Sequence, residues 1–292
     1  LSRGLGDVYK RQGVGGSYVS NFISFDTYSS KYKSGFSGFI THDEQGKGII
    51  KTTQLSLAYS YQMVINGSWS LRFGLQGGYF TKSISDNGLI YPDQVTPGGI
   101  TPPTGGFGTV SFGAPDLSAG GVLYNRNLWF GFSSHHINRP TQSFSQVDIK
   151  YPVKYSLIMG YKIDLKRKRP TSRTSQNDEL NLFPIFHYKF QGKSDQIETG
   201  LIFIDNMFKA GVIYRGIPTK KYNSSLHNNE AFIFLLGLRM KHFKITYSYD
   251  AVVSKLSQSG PSGAHELNIS YIFHQGKKPF KPSRKLPCPD FK

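Results

Sequence analysis

Strict alternation of apolar and polar residues runs through most of this chain, and it narrows the fold more than any other feature. In residues 69–80, Trp69, Leu71, Phe73, Leu75 and Tyr79 fall on one face and Ser70, Arg72, Gly74, Gln76 and Gly78 on the other. Residues 54–63 set Leu55, Leu57, Tyr59, Tyr61 and Met63 against Gln54, Ser56, Ala58, Ser60 and Gln62. Residues 155–165 repeat the pattern, with Tyr155, Leu157, Met159, Tyr161, Ile163 and Leu165 on the apolar side. Successive strand residues point to opposite faces, so each stretch reads as a strand with one apolar face. Further strands are expected at 17–25, 34–42, 117–125, 128–135, 181–190, 195–204, 207–215, 230–240, 243–250 and 265–274, thirteen in all, with no convincing helix.

A soluble sandwich with a wetted face could give the same alternation. Three details favour a transmembrane antiparallel up-and-down β-barrel. Many strands reach the roughly 9–11 residues that cross an apolar layer at a tilt. Tyr, Phe and Trp recur near strand ends, where aromatic girdles sit. Connections also tend to alternate between short and long. The short ones are Asn66-Gly67, Asn125-Arg126-Asn127, Asp205-Asn206 and Lys241-His242, and the longer ones span 43–51, 83–116, 136–152, 216–228 and 251–264. Asn66-Gly67 is expected to form a two-residue turn with positive φ at both positions. If the last strand descends to the periplasm, every short link named lies on the periplasmic side, as bacterial barrels prefer. The links at 166–178 (long) and 192–195 (short) break the pattern. Loop 83–116, rich in Pro and Gly, is expected to fold into the lumen or to offer a partner surface outside.

Composition fits this reading without proving it. Only 18% of the 292 residues are charged, while Phe (22), Tyr (18) and Gly (32) are abundant. No apolar run approaches the roughly 18 residues of a membrane helix. The formal charge of +17 admits nucleic acid, anionic lipid or a solvated basic surface. A nucleic-acid platform interleaves aromatic and basic residues on one face, and here the aromatics form their own face. Cys288 is the single cysteine, which excludes an intrachain disulfide framework.

Residues 1–12, LSRGLGDVYKRQ, resemble translated adapter sequence and read as a non-native leader. On that reading the barrel occupies residues 13–274, and the true N-terminus, with any signal peptide, lies upstream. Strand 17–25 would then descend, so one ascending strand must precede it, making fourteen. Residues 275–292 carry four prolines and a dense run of Lys and Arg, which reads as a basic periplasmic tail.

Local chemistry is sparse. His135-His136 is the only histidine pair, and no nearby Asp, Glu or Cys run completes a metal set. A girdle or loop role suits it better. Ser133 and Ser134 beside it suggest a phospholipase-type hydrolase, but Ser134 and His135 point to opposite faces of a strand. The GVGGS segment at 13–17 lacks the dinucleotide spacing and a following helix. No enzyme activity, cofactor or metal is expected. In the tail, Phe280 and Phe291 are candidate apolar anchors for a partner, Lys281, Arg284 and Lys285 candidate steering charges, and Cys288 a free thiol among them.

Several segments together resemble the PorP/SprF family of type IX secretion system membrane proteins. They are GFSGFITHDEQGKG leading into TTQLSLAYSYQMVINGSWSLRFGLQGGYF, then APDLSAGGVLYNRNLWFGFSSHHINRPTQSF, then FKITYSYDAVVSKLSQSGPSGAHELNISYIF, and a tail closing on CPDF. The ordered set, not any one motif, carries the resemblance. It implies a non-enzymatic outer-membrane barrel of Bacteroidota that serves protein secretion. In gliding species it implies help in exporting and anchoring surface adhesins with a C-terminal sorting domain. Implied partners are periplasmic components of the type IX machine, the secreted client and outer-membrane lipid, not nucleic acid. A porin or solute channel is the alternative reading.

Overall fold

A computed structural model of the chain describes residues 5–10, 18–46, 48–86, 92–100, 108–142, 144, 149–165, 180–223, 226–253 and 263–273. Fourteen strands form its wall: β1 Leu5–Lys10, β2 Tyr18–Ser29, β3 Ser34–Gln45, β4 Ile50–Val64, β5 Ser70–Ser85, β6 Thr109–Tyr124, β7 Leu128–His135, β8 Lys154–Tyr161, β9 Leu180–Gln191, β10 Ser194–Asp205, β11 Phe208–Asn223, β12 Leu226–Arg239, β13 Phe243–Val252 and β14 Ala264–Tyr271. After a break at Lys162, Ile163–Asp164 prolongs β8 along β9. Each strand pairs antiparallel with its sequence neighbours. The ring of pairings is continuous, because β8 ladders to β9 and β1 ladders to β14 as well as to β2. Among the described residues no strand of this wall is left as an open edge, which is how a sheet satisfies its backbone inside lipid.

The fourteenth strand lies where the sequence reading did not look. Leu5–Lys10 falls inside the segment set apart as a leader, so in the structure the sheet begins at Leu5 and not at residue 13. Ladder bonds are made by backbone groups, so a short extended segment can fill the seam whatever its side chains.

Burial in this barrel is inverted relative to a water-soluble protein. Leu57, Leu75 and Leu236 are 67%, 64% and 64% exposed, while Ser56, Ser70 and Asp116 are 0%, 0% and 2% exposed. A sandwich in water would do the opposite. The apolar faces therefore point out to lipid, and the polar faces line the lumen.

Several strands exceed their expected length. β4, β5, β6 and β11 run 15 or 16 residues, and much of the ground expected as loops 43–51, 83–116 and 216–228 is strand. The alternation explains why β6 was hard to see. At its start Val110, Phe112 and Ala114 share the lumen face with buried Asp116 and Ser118, while Ser111, Gly113 and Pro115 face out. Polar residues outside and apolar residues inside mark a stretch above the lipid band. Loop 83–116 contracts to 86–108, where Pro92–Gln94 forms one 3-10 turn before a small hairpin of Val95–Thr96 and Gly99–Ile100.

The turns differ in detail from expectation. Neither Asn66 nor Gly67 takes a positive φ. Instead the Asn66 side-chain oxygen accepts the backbone N–H groups of Ser68 (2.9 Å) and Trp69 (2.8 Å). Asn125 does the same for Asn127 (2.8 Å) and Leu128 (2.7 Å). An Asx turn thus closes both hairpins, and at Asn66-Gly67 it stands in place of the expected two-residue turn.

Candidate functional site

The lumen gathers the polar side chains, and three groups organise it. On β9, β10, β11 and β13 a charge network surrounds Glu198. Its carboxylate accepts from Arg215 Nε (2.9 Å) and Lys189 Nζ (3.2 Å) and pairs with His187 Nδ1 (3.2 Å). Arg215 also donates from NH1 to Asp250 (2.7 Å). Arg215 and Asp250 are not on adjacent strands. The guanidinium reaches across β12 at Ala231, which stands opposite Arg215 in the register and is 3% exposed. Only a small side chain there leaves the path open.

On the opposite wall, Arg72 of β5 donates to the Gln62 side-chain oxygen (2.9 Å), which also accepts from the Tyr28 hydroxyl (2.9 Å). The guanidinium lies 5.2 Å from the Tyr28 ring centroid, a cation–π contact.

The histidine pair sits at the loop end of β7. His135 Nδ1 contacts the Ser118 hydroxyl (3.1 Å) and its Nε2 the Ser133 hydroxyl (3.4 Å). His136, just past the strand end with φ 58°, turns to the lumen side and pairs with buried Asp116 (2.8 Å). Ser133, not Ser134, shares the face of His135, as a two-residue step requires. Serine and carboxylate contact different imidazoles, so no serine–histidine–acid relay assembles at this pair among the described residues. Among the described residues no cluster of three or more His, Cys, Asp or Glu could hold a metal.

Aromatic clusters mark both ends of the lumen. Near the short turns, Tyr124 and Trp129 are 0% and 2% exposed and pack with Val122, Phe183 and Ile185. Trp129 lies over Gly160, where a Cβ would collide with the ring. At the loop end, the connection between β7 and β8 turns inward. Its Phe144 meets Phe112 (5.0 Å between centroids), and its Tyr151 meets Phe80 (5.9 Å) and His136 (5.0 Å). This loop is thus seen against residues of the lumen face. Tyr151 lies outside the strands, and burial, then the nearby Asp116 carboxylate, push its phenol above the ordinary value. Along the wall lies a cavity of about 710 Å³ lined by Tyr28, Arg72, His135, Lys154, His187 and Lys189 over a floor that includes Gly74 and Gly120.

The tail residues Phe280, Lys281, Arg284, Lys285, Cys288 and Phe291, and the long link 166–178, lie outside the described residues. Sequence reading missed the lumen network. Its only local signal was charged residues on the polar face of strands, at Lys189, Glu198, Arg215 and Asp250.

The family model described as Type IX secretion system membrane protein PorP/SprF matches residues 8–271. No curated protein matches the chain. Similar solved structures include BamA from Haemophilus ducreyi lacking POTRA domains 1-3, at 9% identity and TM-score 0.42, covering 87% of this chain and 62% of that one. The chain therefore spans less than two thirds of that BamA chain. A Pseudomonas aeruginosa FadL homologue matches at 13% identity and TM-score 0.43, covering 94% of this chain and 87% of the other. A mutant Rh. blastica porin matches at 7% identity and TM-score 0.37, covering 93% and 98%. At these scores none of the three bears on any residue of the site.

Proposed function

The chain belongs to the PorP/SprF family of type IX secretion system membrane proteins and lies in the bacterial outer membrane, and we propose that it supports secretion or surface anchoring of client proteins without catalysing a reaction. The observation that carries this reading is the family match across nearly the whole barrel, residues 8–271. The clients are proteins with a C-terminal sorting domain, such as gliding adhesins, met on the loop side. Other components of the system are met on the periplasmic side.

Deleting the coding sequence and comparing surface and culture-fluid proteins tests the proposal. One or more secreted proteins should be lost or retained in the periplasm, with no lipase activity lost and small-solute uptake unchanged. Normal secretion together with clear single-channel conductance of the purified barrel would sink it. The second reading, a solute channel, is favoured by one observation, the polar lumen with its cavity of about 710 Å³. The two readings part in the same planar-bilayer measurement.

The tail at 275–292 is assigned to docking of a periplasmic component. Phe280 and Phe291 serve as apolar anchors, Lys281, Arg284 and Lys285 as steering charges, and Cys288 lies within the same motif. Truncation after residue 274 should leave a heat-modifiable barrel but weaken co-purification of periplasmic components. Unchanged pull-downs would leave the tail as a solvated end.

A further inference from the structure

Three adjacent strands, β7, β8 and β9, present a continuous polar patch to the lumen: Ser133, His135, Lys154, Ser156, His187 and Lys189. The register makes them neighbours. Lys154 stands opposite His135, and Ser156 stands opposite both Ser133 and Lys189. All six line the cavity of about 710 Å³. None is an acid.

The acids nearby do not balance this patch. Glu198 is shared among Arg215, His187 and Lys189. Asp26 lines the same cavity but stands on β2, across a floor that includes Ser60, Gly74 and Gly120. Among the described residues the Lys154 ammonium is in no ion pair of the Glu198 network, although Glu198 is near enough to act on its charge. Arg72, on the far side of that floor, keeps a buried Nε with no partner. The floor residues have short side chains or none, so the space above them stays open.

An ammonium held in a partly desolvated lumen is costly unless an anion compensates it. Ammonium groups and hydroxyls converging on one space are the chemistry that recognises oxyanions, and charge-assisted bonds of this kind are the strong ones. Rings of Lys and Arg play this part in pores that take anions and phosphate. We propose that the β7–β9 patch is an oxyanion site that takes a phosphate or carboxylate group. Lys154 supplies a charge that no carboxylate contacts directly among the described residues, Lys189 a second one shared with Glu198, and Ser133 and Ser156 donate hydrogen bonds. The site is independent of the client role argued above, and either can fail without the other.

The test uses the full chain purified in a neutral detergent and titrated with inorganic phosphate, followed by calorimetry and by thermal unfolding. Sodium chloride at matched ionic strength is the control. Phosphate should bind saturably and raise the unfolding temperature, and chloride should not. Acetate in a parallel titration separates the two sources: saturation by acetate as well admits carboxylates, and saturation by phosphate alone restricts the site to phosphate. Lys154→Met should weaken binding on the order of ten-fold or more. Lys154→Arg and Lys193→Met, the latter on an exposed turn, should retain it. Ser156→Ala leaves every charge in place and should also weaken binding, which covers the case of a Lys154→Met protein that does not assemble. A chloride response equal to that of phosphate, or binding unchanged in both Lys154→Met and Ser156→Ala, overturns the proposal.

Discussion

At the residue scale, the lumen network has one weak point in size and one in charge. Ala231 lies under the path from Arg215 to Asp250, so Ala231→Leu should break that pair while leaving all charges present. Arg215→Met removes the shared cation and leaves Glu198 and Asp250, with side chains 15% and 13% exposed, short of their partner. That loss should cost about 3 kcal/mol, at the lower end for a broken buried pair, read as a lower urea midpoint in lipid vesicles. The two Asx turns are a milder case. Asn66→Ala and Asn125→Ala each strip two backbone N–H groups of their acceptor and should cost about 1 kcal/mol. A hairpin built on positive φ at Gly67 would be insensitive to Asn66→Ala, so the measurement separates the two turn chemistries.

At the element scale, each strand has a lipid face and a lumen face, and the same substitution should have unequal effects on the two. Leu75→Arg on β5 places a charge on a face that is 64% exposed to the surroundings of the barrel. Such a change costs about 2–4 kcal/mol near the bilayer midplane and less toward the interfaces. Gln76→Arg, one residue on, enters the lumen beside Ser118 and should cost far less. Urea unfolding of both variants in the same vesicles reads the difference; equal costs would contradict the assigned faces. The long strands show why boundaries moved. Once β6 rises above the lipid band its alternation reverses, so a pattern that looks like loop continues the ladder to β5.

At the scale of the whole molecule, closure joins parts of the chain that are far apart in sequence. Val8 and Leu267 are Cα partners across the β1–β14 seam. Cysteines at these two positions, in a Cys288→Ser background, should cross-link on oxidation and hold the barrel compact in heated detergent gels. A sheet open at that seam would give no cross-link. The lumen is likewise a property of the closed ring. Its cavity draws lining from β2 through β9, and the inward loop between β7 and β8 reaches Phe80 and Phe112 on strands it does not adjoin in sequence.

The sequence by itself determined the strand character, the antiparallel order, the near-count of strands and the family. Those depend on side-chain alternation and short links, which act over a few residues. It also put the aromatic face toward lipid, because Leu57, Leu75 and their neighbours are too many and too regular for a wetted surface. Only the tertiary structure decided which lumen groups meet. Arg215 finds Asp250 at a separation of 35 residues, and His136 finds Asp116 at 20, through register and ring closure that no local pattern encodes. The seam strand at Leu5–Lys10 belongs with these, since backbone pairing, not side-chain pattern, put it there.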